Sequence, residues 1–210
     1  MKLNLGCGPG PVLAENYIHI DASRKLLLAK LPGINFVIKK VFGIDNNWDP
    51  KVKFKNILGL RLNPDTVESI YSSHLLEHLY YSQCVDLLRI AHKSLITGGI
   101  IRLVLPDYDA FILRYIESYK TDPVLAINEF EESLLSYPMD KPSLRGKIWK
   151  NITGDLHIHR WHPTYASVHH LLIELGYRNI ERYNYRESKL AEIDLLENRD
   201  SMSFYIEATK

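Results

Sequence analysis

The chain has 210 residues, and its 26 Lys and Arg residues nearly balance 25 Asp and Glu residues, for a net charge of +1. This balance provides no electrostatic footprint for a nucleic acid or an anionic membrane, so we expect neither as a partner. Two cysteines are too few for a disulfide framework, no apolar run reaches membrane-spanning length, and the first strand starts at Lys2, which leaves no room for a signal peptide. We therefore expect a single cytoplasmic domain over residues 1–210.

A glycine-rich turn directly follows the first predicted strand, residues 2–5. Gly6 and Gly8 would let the backbone approach a ligand, and open α/β sheets bind ligands beyond the carboxyl ends of their strands. The second predicted strand, 17–20, leads into Asp21, where such folds place a carboxylate against ribose hydroxyls. Together these features predict half of a nucleotide-type site, although glycines of this kind can also serve only to turn the chain.

The glycine spacing disfavours one class of cofactor. A dinucleotide fingerprint, G-x-G-x-x-G, requires a third glycine where this chain has Pro11. A nicotinamide-dependent oxidoreductase is therefore the weaker interpretation.

Periodicity and chain breakers predict the remaining elements. Further strands are expected at 52–57, 69–73, 100–105, 180–185 and 202–208. Helices are expected at 82–95, with Ser82 as N-cap, and at 164–175, ended by Gly176. A polar, non-helical link joins the last two strands, which fits an antiparallel strand at the end of the sheet. The region 22–50 contains a helical pattern whose role the sequence leaves open.

A long insertion, 108–161, separates the fifth strand from the late helix. Helical patterns cover 111–119 and 124–135, and a break is expected at Pro138, Pro142 and Gly146. Insertions of this length are usually functional or disordered, and the many aromatic residues argue against disorder. We expect a helical cap that closes an acceptor pocket; the alternatives are a thicker core or the interface of a homo-oligomer.

Five motifs occur along the chain in a characteristic order. They are L-N-L-G-C-G from Leu3, a strand ending in Asp21, Y-S-S-H-x-L-E-H-L from Tyr71, G-G-x-x-R-x-x-x-P-D from Gly98, and H-R-W ending at Trp161. In this order they resemble class I S-adenosylmethionine-dependent methyltransferases, in particular a small bacterial group of predicted methyltransferases. The resemblance implies an α/β fold with a doubly wound, mostly parallel Rossmann-like sheet and an antiparallel last strand. It also implies methyl transfer from S-adenosylmethionine to an oxygen or nitrogen of a small molecule.

The resemblance further implies a set of cofactor-binding residues. They are Asn4, Gly6, Cys7, Gly8, Gly10, Asp21, Asn56, Ser72 and Ser73. In this set the three glycines hold the methionine end of the cofactor, Asp21 holds the ribose and Asn56 faces the adenine. Asn4 and Asn56 stand where the family usually has an acid, so they offer hydrogen bonds without charge. A non-catalytic cofactor-binding or scaffolding protein is the main alternative to an enzyme.

His74 is the candidate catalytic residue. Methyl transfer needs an aimed nucleophile in a water-poor site, and an acceptor with a proton to lose benefits from a nearby base. His74 follows Ser73 at the carboxyl end of the fourth strand, where the resemblance puts the transferred methyl group. Glu77 and His78 follow one turn later. The alternative is that these polar residues only cap a helix and hold the loop in place.

A second polar segment contains His157, His159 and Arg160, which we expect to contact the acceptor. The two histidines alternate onto one face of an extended segment. Their spacing specifies no third ligand, so no metal site is predicted. Arg160 could pair with a carboxylate or phosphate of a small anionic acceptor.

Overall fold

The computed structural model describes residues 1–134, 143–154, 158–197 and 202–210. Its strands are β1 (Lys2–Leu5), β2 (Tyr17–Asp21), β3 (Lys53–Phe54), β4 (Val67–Ser73), β5 (Leu95–Pro106), β6 (Arg178–Tyr183) and β7 (Ser203–Thr209). They form one sheet in the order β3-β2-β1-β4-β5-β7-β6. The first five strands are parallel, and β7 runs antiparallel to both β5 and β6. The predicted α/β fold class is confirmed.

The helices surround this sheet. They are α1 (Arg24–Ala29), α2 (Ile34–Phe42), α3 (Tyr81–Ser94), α4 (Tyr108–Tyr119), α5 (Pro123–Leu134), α6 (Leu144–Thr153), α7 (Tyr165–Glu174) and α8 (Ile193–Leu196), with 3₁₀ turns at Ile57–Gly59 and Leu76–His78. Within the described ranges, none of these helices combines the length and the apolar character needed to span a membrane.

Four local predictions were wrong. The link between the last two strands, expected to be non-helical, contains the short helix α8 (Ile193–Leu196). Ser82 lies inside the first turn of α3, because Tyr80 precedes that helix and its N–H donates to Gln83 Oε1 at 3.0 Å. Gly146 does not break the chain but lies in the first turn of α6, where its N–H donates to Ser143 Oγ at 3.1 Å. Pro138 and Pro142, the other residues of the expected break, lie outside the described residues. The strand expected at 52–57 shrinks to β3, because a 3₁₀ turn begins at Ile57.

The connection between β1 and β2 is the feature that most affects the site. Residues 6–16, all within the described part of the chain, form no helix. The loop is held by hydrogen bonds from Gly6 N–H to Ile20 O at 2.8 Å and from Val12 N–H to Asp49 Oδ2 at 2.9 Å. A ligand beside the glycines therefore does not meet the positive end of a helix, which is what binds the pyrophosphate of dinucleotides.

The two faces of the sheet carry separate apolar clusters. The larger cluster buries residues such as Leu3, Leu103, Leu88 and Leu172 between the sheet, α3 and α7. Each fully buried leucine contributes about 1.5–3 kcal/mol. On the other face, Tyr17, Tyr71, Val104 and Tyr205 pack against Leu190, Ile193 and Leu196. This thinner cover leaves room for a cavity at the strand ends.

A buried arginine fixes that thinner cover in place. The side chain of Arg102 is fully buried, and its guanidinium lies 2.6 Å from Glu197 Oε1 and 2.9 Å from Glu207 Oε1. It also donates to the backbone oxygens of Asn184 and Glu187. The segment after β6 is thereby tied to β5, which places Glu197 in the cavity wall described below.

The predicted cap contains α4, α5 and α6. Helix α4 starts directly after β5, where Asp107 Oδ1 accepts from Ala110 N–H at 3.1 Å. Helix α6 contacts α1 and α2, and the rings of Phe42 and Trp149 are 5.2 Å apart. The helical region within 22–50, whose role the sequence left open, therefore packs against α6 of the predicted insertion.

Candidate functional site

A cavity of about 390 Å³ lies at the carboxyl ends of β1 and β4. We call it the glycine-loop cleft. It is lined by Asn4, Gly6, Cys7, Gly8, Pro9, Tyr71, Ser73, His74, Val104, Leu196, Glu197 and Tyr205. Its volume falls within the range of about 300–1,000 Å³ that small-molecule sites occupy.

Two glycines of the cleft serve different purposes, although both have left-handed backbones, with φ of +69° at Gly6 and +67° at Gly8. A Cβ at Gly6 would lie 3.0 Å from Leu75 Cβ, so this position is required by protein packing. A Cβ at Gly8 would meet no atom of the described residues within 4 Å. Gly8 therefore leaves space for a ligand.

Asn4 contributes a buried polar atom to the cleft. The ring of His19 contacts the carbonyl of Ala14 through Nε2 at 2.9 Å, so Nε2 carries the proton and Nδ1 accepts from Asn4 Nδ2 at 3.1 Å. This contact orients the amide. Asn4 Oδ1 is buried and has no hydrogen-bond partner among the described residues. Since an unsatisfied buried acceptor costs about 1–3 kcal/mol, a ligand that donates a hydrogen bond there would be stabilised.

The carboxylate of Asp21 holds the glycine loop through a backbone hydrogen bond. Its Oδ2 accepts from Gly8 N–H at 2.9 Å, and its Oδ1 accepts from Ser23 N–H at 2.7 Å. Each carboxylate oxygen keeps further acceptor capacity for a ligand hydroxyl. Burial, followed by the nearby Asp21 charge, raises the pKa of Cys7 to about 12. Cys7 therefore stays a neutral thiol and is a poor nucleophile.

Not every residue expected at the cofactor lies on this cleft. Ser72 Oγ donates to Leu5 O at 3.1 Å and so joins β4 to β1. Asn56 Oδ1 accepts from Leu58 N–H, and Asn56 lines a second cavity of about 530 Å³ together with Leu3. The structure brings Asn4, Gly6, Cys7, Gly8, Ser73 and His74 together on the cleft and leaves Gly10, Asp21, Asn56 and Ser72 outside its lining.

His74 lies on the cleft wall with a left-handed backbone, φ +49°. For a residue other than glycine, such a conformation costs about 1–3 kcal/mol and is concentrated at functional sites. His74 Nδ1 lies 3.1 Å from Glu77 Oε1, and Nε2 lies 3.2 Å from Ser203 Oγ. Because a carboxylate accepts from Nδ1–H, the neutral ring carries its lone pair on Nε2.

Three further side chains meet beside His74, and we call Glu77, His78 and His159 the Glu–His cluster. One ligand atom from each lies within 4.8 Å of the other two. Glu77 is fully buried, and its Oε2 has no hydrogen-bond partner among the described residues. Burial lowers the pKa of His159 to about 4, so this ring is neutral near pH 7. The Tyr108 hydroxyl hydrogen-bonds its Nδ1.

The H-R-W motif lies against the turn that carries this cluster. Arg160 N–H donates to Glu77 O at 2.7 Å, and Trp161 Nε1–H donates to Leu76 O at 2.7 Å. The Arg160 guanidinium donates to His78 O at 3.1 Å and stacks 4.7 Å from the Tyr80 ring centroid. These contacts stabilise the turn, and acceptor binding by Arg160 stays a prediction. His157 lies outside the described residues.

Sequence reasoning did not assemble the Glu–His cluster. The prediction of no metal site was based on the H-x-H pair alone, whose spacing specifies no third ligand. The fold supplies Glu77 and His78 from a turn about 80 residues earlier in the chain. The adjacent pair Glu77-His78 gives no hint of its third partner, His159, because the fold alone brings that residue to the turn.

Comparisons with known proteins agree with the fold. No protein-family model matches the sequence, and no curated protein matches it. Among solved structures, the chain is similar to a SAM-dependent methyltransferase from Methanosarcina mazei, with 14% identity, a TM-score of 0.53, and coverage of 100% of this chain and 91% of the other. It is also similar to an S-adenosylmethionine-dependent methyltransferase from Mesorhizobium loti, with 17% identity, a TM-score of 0.51, and coverage of 100% of this chain and 90% of the other. A SAM-dependent methyltransferase from Archaeoglobus fulgidus matches with 16% identity, a TM-score of 0.50, and coverage of 100% of this chain and 85% of the other. At such identities the likeness shows the Rossmann-like methyltransferase fold.

Proposed function

We propose that this protein transfers a methyl group from S-adenosylmethionine to an oxygen or nitrogen of a small-molecule acceptor. The observation that carries the proposal is the glycine-loop cleft, which borders His74 at the carboxyl ends of β1 and β4. The structural neighbours are named as S-adenosylmethionine-dependent methyltransferases, and this supports the choice of cofactor.

The cleft suits this cofactor on two counts. Gly8 leaves open space where a side chain would otherwise project, and the unpartnered Asn4 Oδ1 would accept a hydrogen bond from the cofactor's ammonium group. S-adenosylmethionine supplies a methyl group on a positively charged sulfur. The proposed binding residues are Asn4, Gly6, Cys7, Gly8, Gly10, Ser72 and Ser73 around the methionine end, Asp21 at the ribose and Asn56 at the adenine.

His74 is the proposed general base. Its Nε2 would take the proton of the acceptor, and the contact between Nδ1 and Glu77 Oε1 would stabilise the imidazolium that results. The cap, 108–161, would cover the acceptor and exclude water, which favours an in-line displacement. In this proposal residues 1–210 act as a single catalytic domain.

The test is incubation with methyl-labelled S-adenosylmethionine and a metabolite extract, followed by a search for a mass that gains the label. We expect one small molecule to be methylated by the wild type and by His170→Ala, an exposed control whose side chain is 74% accessible. Cofactor binding without any methylated product would instead favour the non-catalytic, scaffolding alternative.

A further inference from the structure

We propose that the Glu–His cluster, Glu77, His78 and His159, binds one divalent transition-metal ion, with Zn²⁺ as the expected ion. The proposal does not depend on methyl transfer. It rests on the convergence of one carboxylate and two imidazoles whose ligand atoms lie within 4.8 Å of one another. A carboxylate with two histidines is a known ligand set of catalytic zinc.

The outer contacts of both histidines suit metal binding. His78 Nδ1 lies 3.3 Å from Ile158 O, a contact in which the ring donates. His159 Nδ1 hydrogen-bonds the Tyr108 hydroxyl, and in the tautomer that binds a metal Nδ1–H donates to the Tyr108 oxygen. In each ring Nε2 is then the nitrogen available to an ion. Histidines that bind metals almost always use their other ring nitrogen in such a contact, which fixes the ring orientation.

Glu77 provides an independent observation. Its side chain is 0% exposed, and Oε1 contacts His74 Nδ1 at 3.1 Å. The other oxygen, Oε2, is buried without a hydrogen-bond partner among the described residues. A buried carboxylate that is paired on one side alone is costly, and a cation would offset that cost. A purely structural network has no need of the unpaired oxygen.

The donor set also selects the ion. Imidazole nitrogens suit Zn²⁺ and related transition metals, whereas Mg²⁺ prefers oxygen ligands and keeps several waters. An ion held by three protein ligands retains at least one coordination position for water or another ligand. Because Glu77 contacts His74, the cluster adjoins a residue that lines the glycine-loop cleft.

The test is calorimetric titration of Zn²⁺ into the full chain after removal of metals with a chelator. We expect one ion per chain, and at least about a hundred-fold weaker binding in Glu77→Gln and His159→Ala. Tyr108→Phe keeps all three ligands and removes one outer contact, so it should weaken binding by about ten- to a hundred-fold. His170→Ala, an exposed residue of α7 that is not part of the cluster, should bind as the wild type does.

Other outcomes of these titrations would contradict the proposed metal site or the choice of ion. The proposal is overturned if the wild type binds no Zn²⁺, or if His159→Ala and Tyr108→Phe bind it as tightly as His170→Ala. Tighter binding of Mg²⁺ than of Zn²⁺ would contradict the choice of ion. Melting temperatures of the metal-free variants show whether each is folded, and His159→Ala with Tyr108→Phe decides the matter if Glu77→Gln does not fold. Cofactor titration on the same samples separates failure of the metal site from failure of the proposed methyl transfer.

Discussion

The glycine-loop cleft and the Glu–His cluster lie on either side of His74, yet they are built in opposite ways. The cleft consists of a short run of small residues, 6–9, and the ends of neighbouring strands. The cluster consists of large polar side chains from the turn Leu76–His78 and from the segment around His159, about 80 residues later. The cleft is made mainly by strand ends and the glycine loop, with Leu196 and Glu197 from the link before β7, whereas the cluster also requires the segment 158–161 to lie against the sheet.

Because the two regions are built differently, mutations in them should have different consequences. A change in the cleft should alter ligand binding with little effect on the docking of the cap. A change in the contacts between Trp161 or Arg160 and the turn should loosen the docking while the cleft persists. His74 lines the cleft and contacts Glu77 of the cluster, so its replacement should mainly affect chemistry.

The largest expected effect is on stability, from Trp161→Ala. The indole packs against the main core, lies 5.5 Å from the Tyr81 ring and donates to Leu76 O. Its removal should lower the free energy of unfolding by about 3 kcal/mol, mainly from lost packing, because Leu76 O still accepts from Leu79 N–H and Cys84 Sγ–H. Urea unfolding measures the loss, and cofactor affinity measured below the transition should stay near the wild-type value. A loss under about 1 kcal/mol would mean that this docking contact is weak.

The next effect is on turnover, from His74→Ala. Loss of the general base should lower kcat by about a hundred-fold, or about 2.7 kcal/mol, with cofactor affinity nearly unchanged. His74→Asn is the sharper variant, since asparagine tolerates the left-handed backbone and removes the base. Steady-state kinetics and cofactor titration test both. Equal losses of kcat and cofactor affinity would assign His74 a structural role.

Two glycines with similar backbones, one inside and one outside the cleft, allow a matched test in which a smaller loss of stability is expected. Gly8 and Gly98 have φ of +67° and +75°, and a Cβ at either would meet no described atom within 4 Å. Gly8→Ala and Gly98→Ala should each cost about 1–2 kcal/mol of stability through backbone strain. Cofactor affinity should fall in Gly8→Ala alone, because Gly98 lies outside the cleft. Equal cofactor affinities in the two variants would remove Gly8 from the site.

The smallest effect is expected from Arg160→Ala. The side chain gives one hydrogen bond to His78 O and one stacking contact with Tyr80, so the loss of stability should be about 1 kcal/mol. Thermal unfolding tests this expectation. A fall of about ten-fold or more in kcat/KM for the acceptor, worth 1.4 kcal/mol and without loss of stability, would instead support the acceptor contact predicted from the sequence.

The parts of the molecule that the sequence predicted well are those specified by neighbouring residues. A buried strand before Gly6 and another before Asp21 are local patterns, and both strands occur with their expected starts at Lys2 and Tyr17. The fold class followed from the resemblance that the five short motifs carry, and these motifs are local patterns as well. Each of these inferences needs a few consecutive residues and the general rules of α/β sheets.

The parts that were missed depend on tertiary contacts. The pairing of Glu77 with His159 depends on where a long insertion returns to the sheet, and no local period encodes this return. Side chains that are adjacent in space and distant in sequence were therefore assigned separately, to a helix cap in one case and to the acceptor in the other.

The central claim is that the glycine-loop cleft binds S-adenosylmethionine, and calorimetric titration of the intact protein tests it most directly. S-adenosylmethionine and its demethylated product should both bind, and Asp21→Ala should weaken binding by about ten- to a hundred-fold, since charge-assisted hydrogen bonds contribute about 1.5–3 kcal/mol. Asp21→Asn, which keeps an acceptor for one of the loop N–H groups, separates the loss of charge from the loss of loop structure. Absence of binding by the wild type, or binding of NADH in its place, would contradict the account.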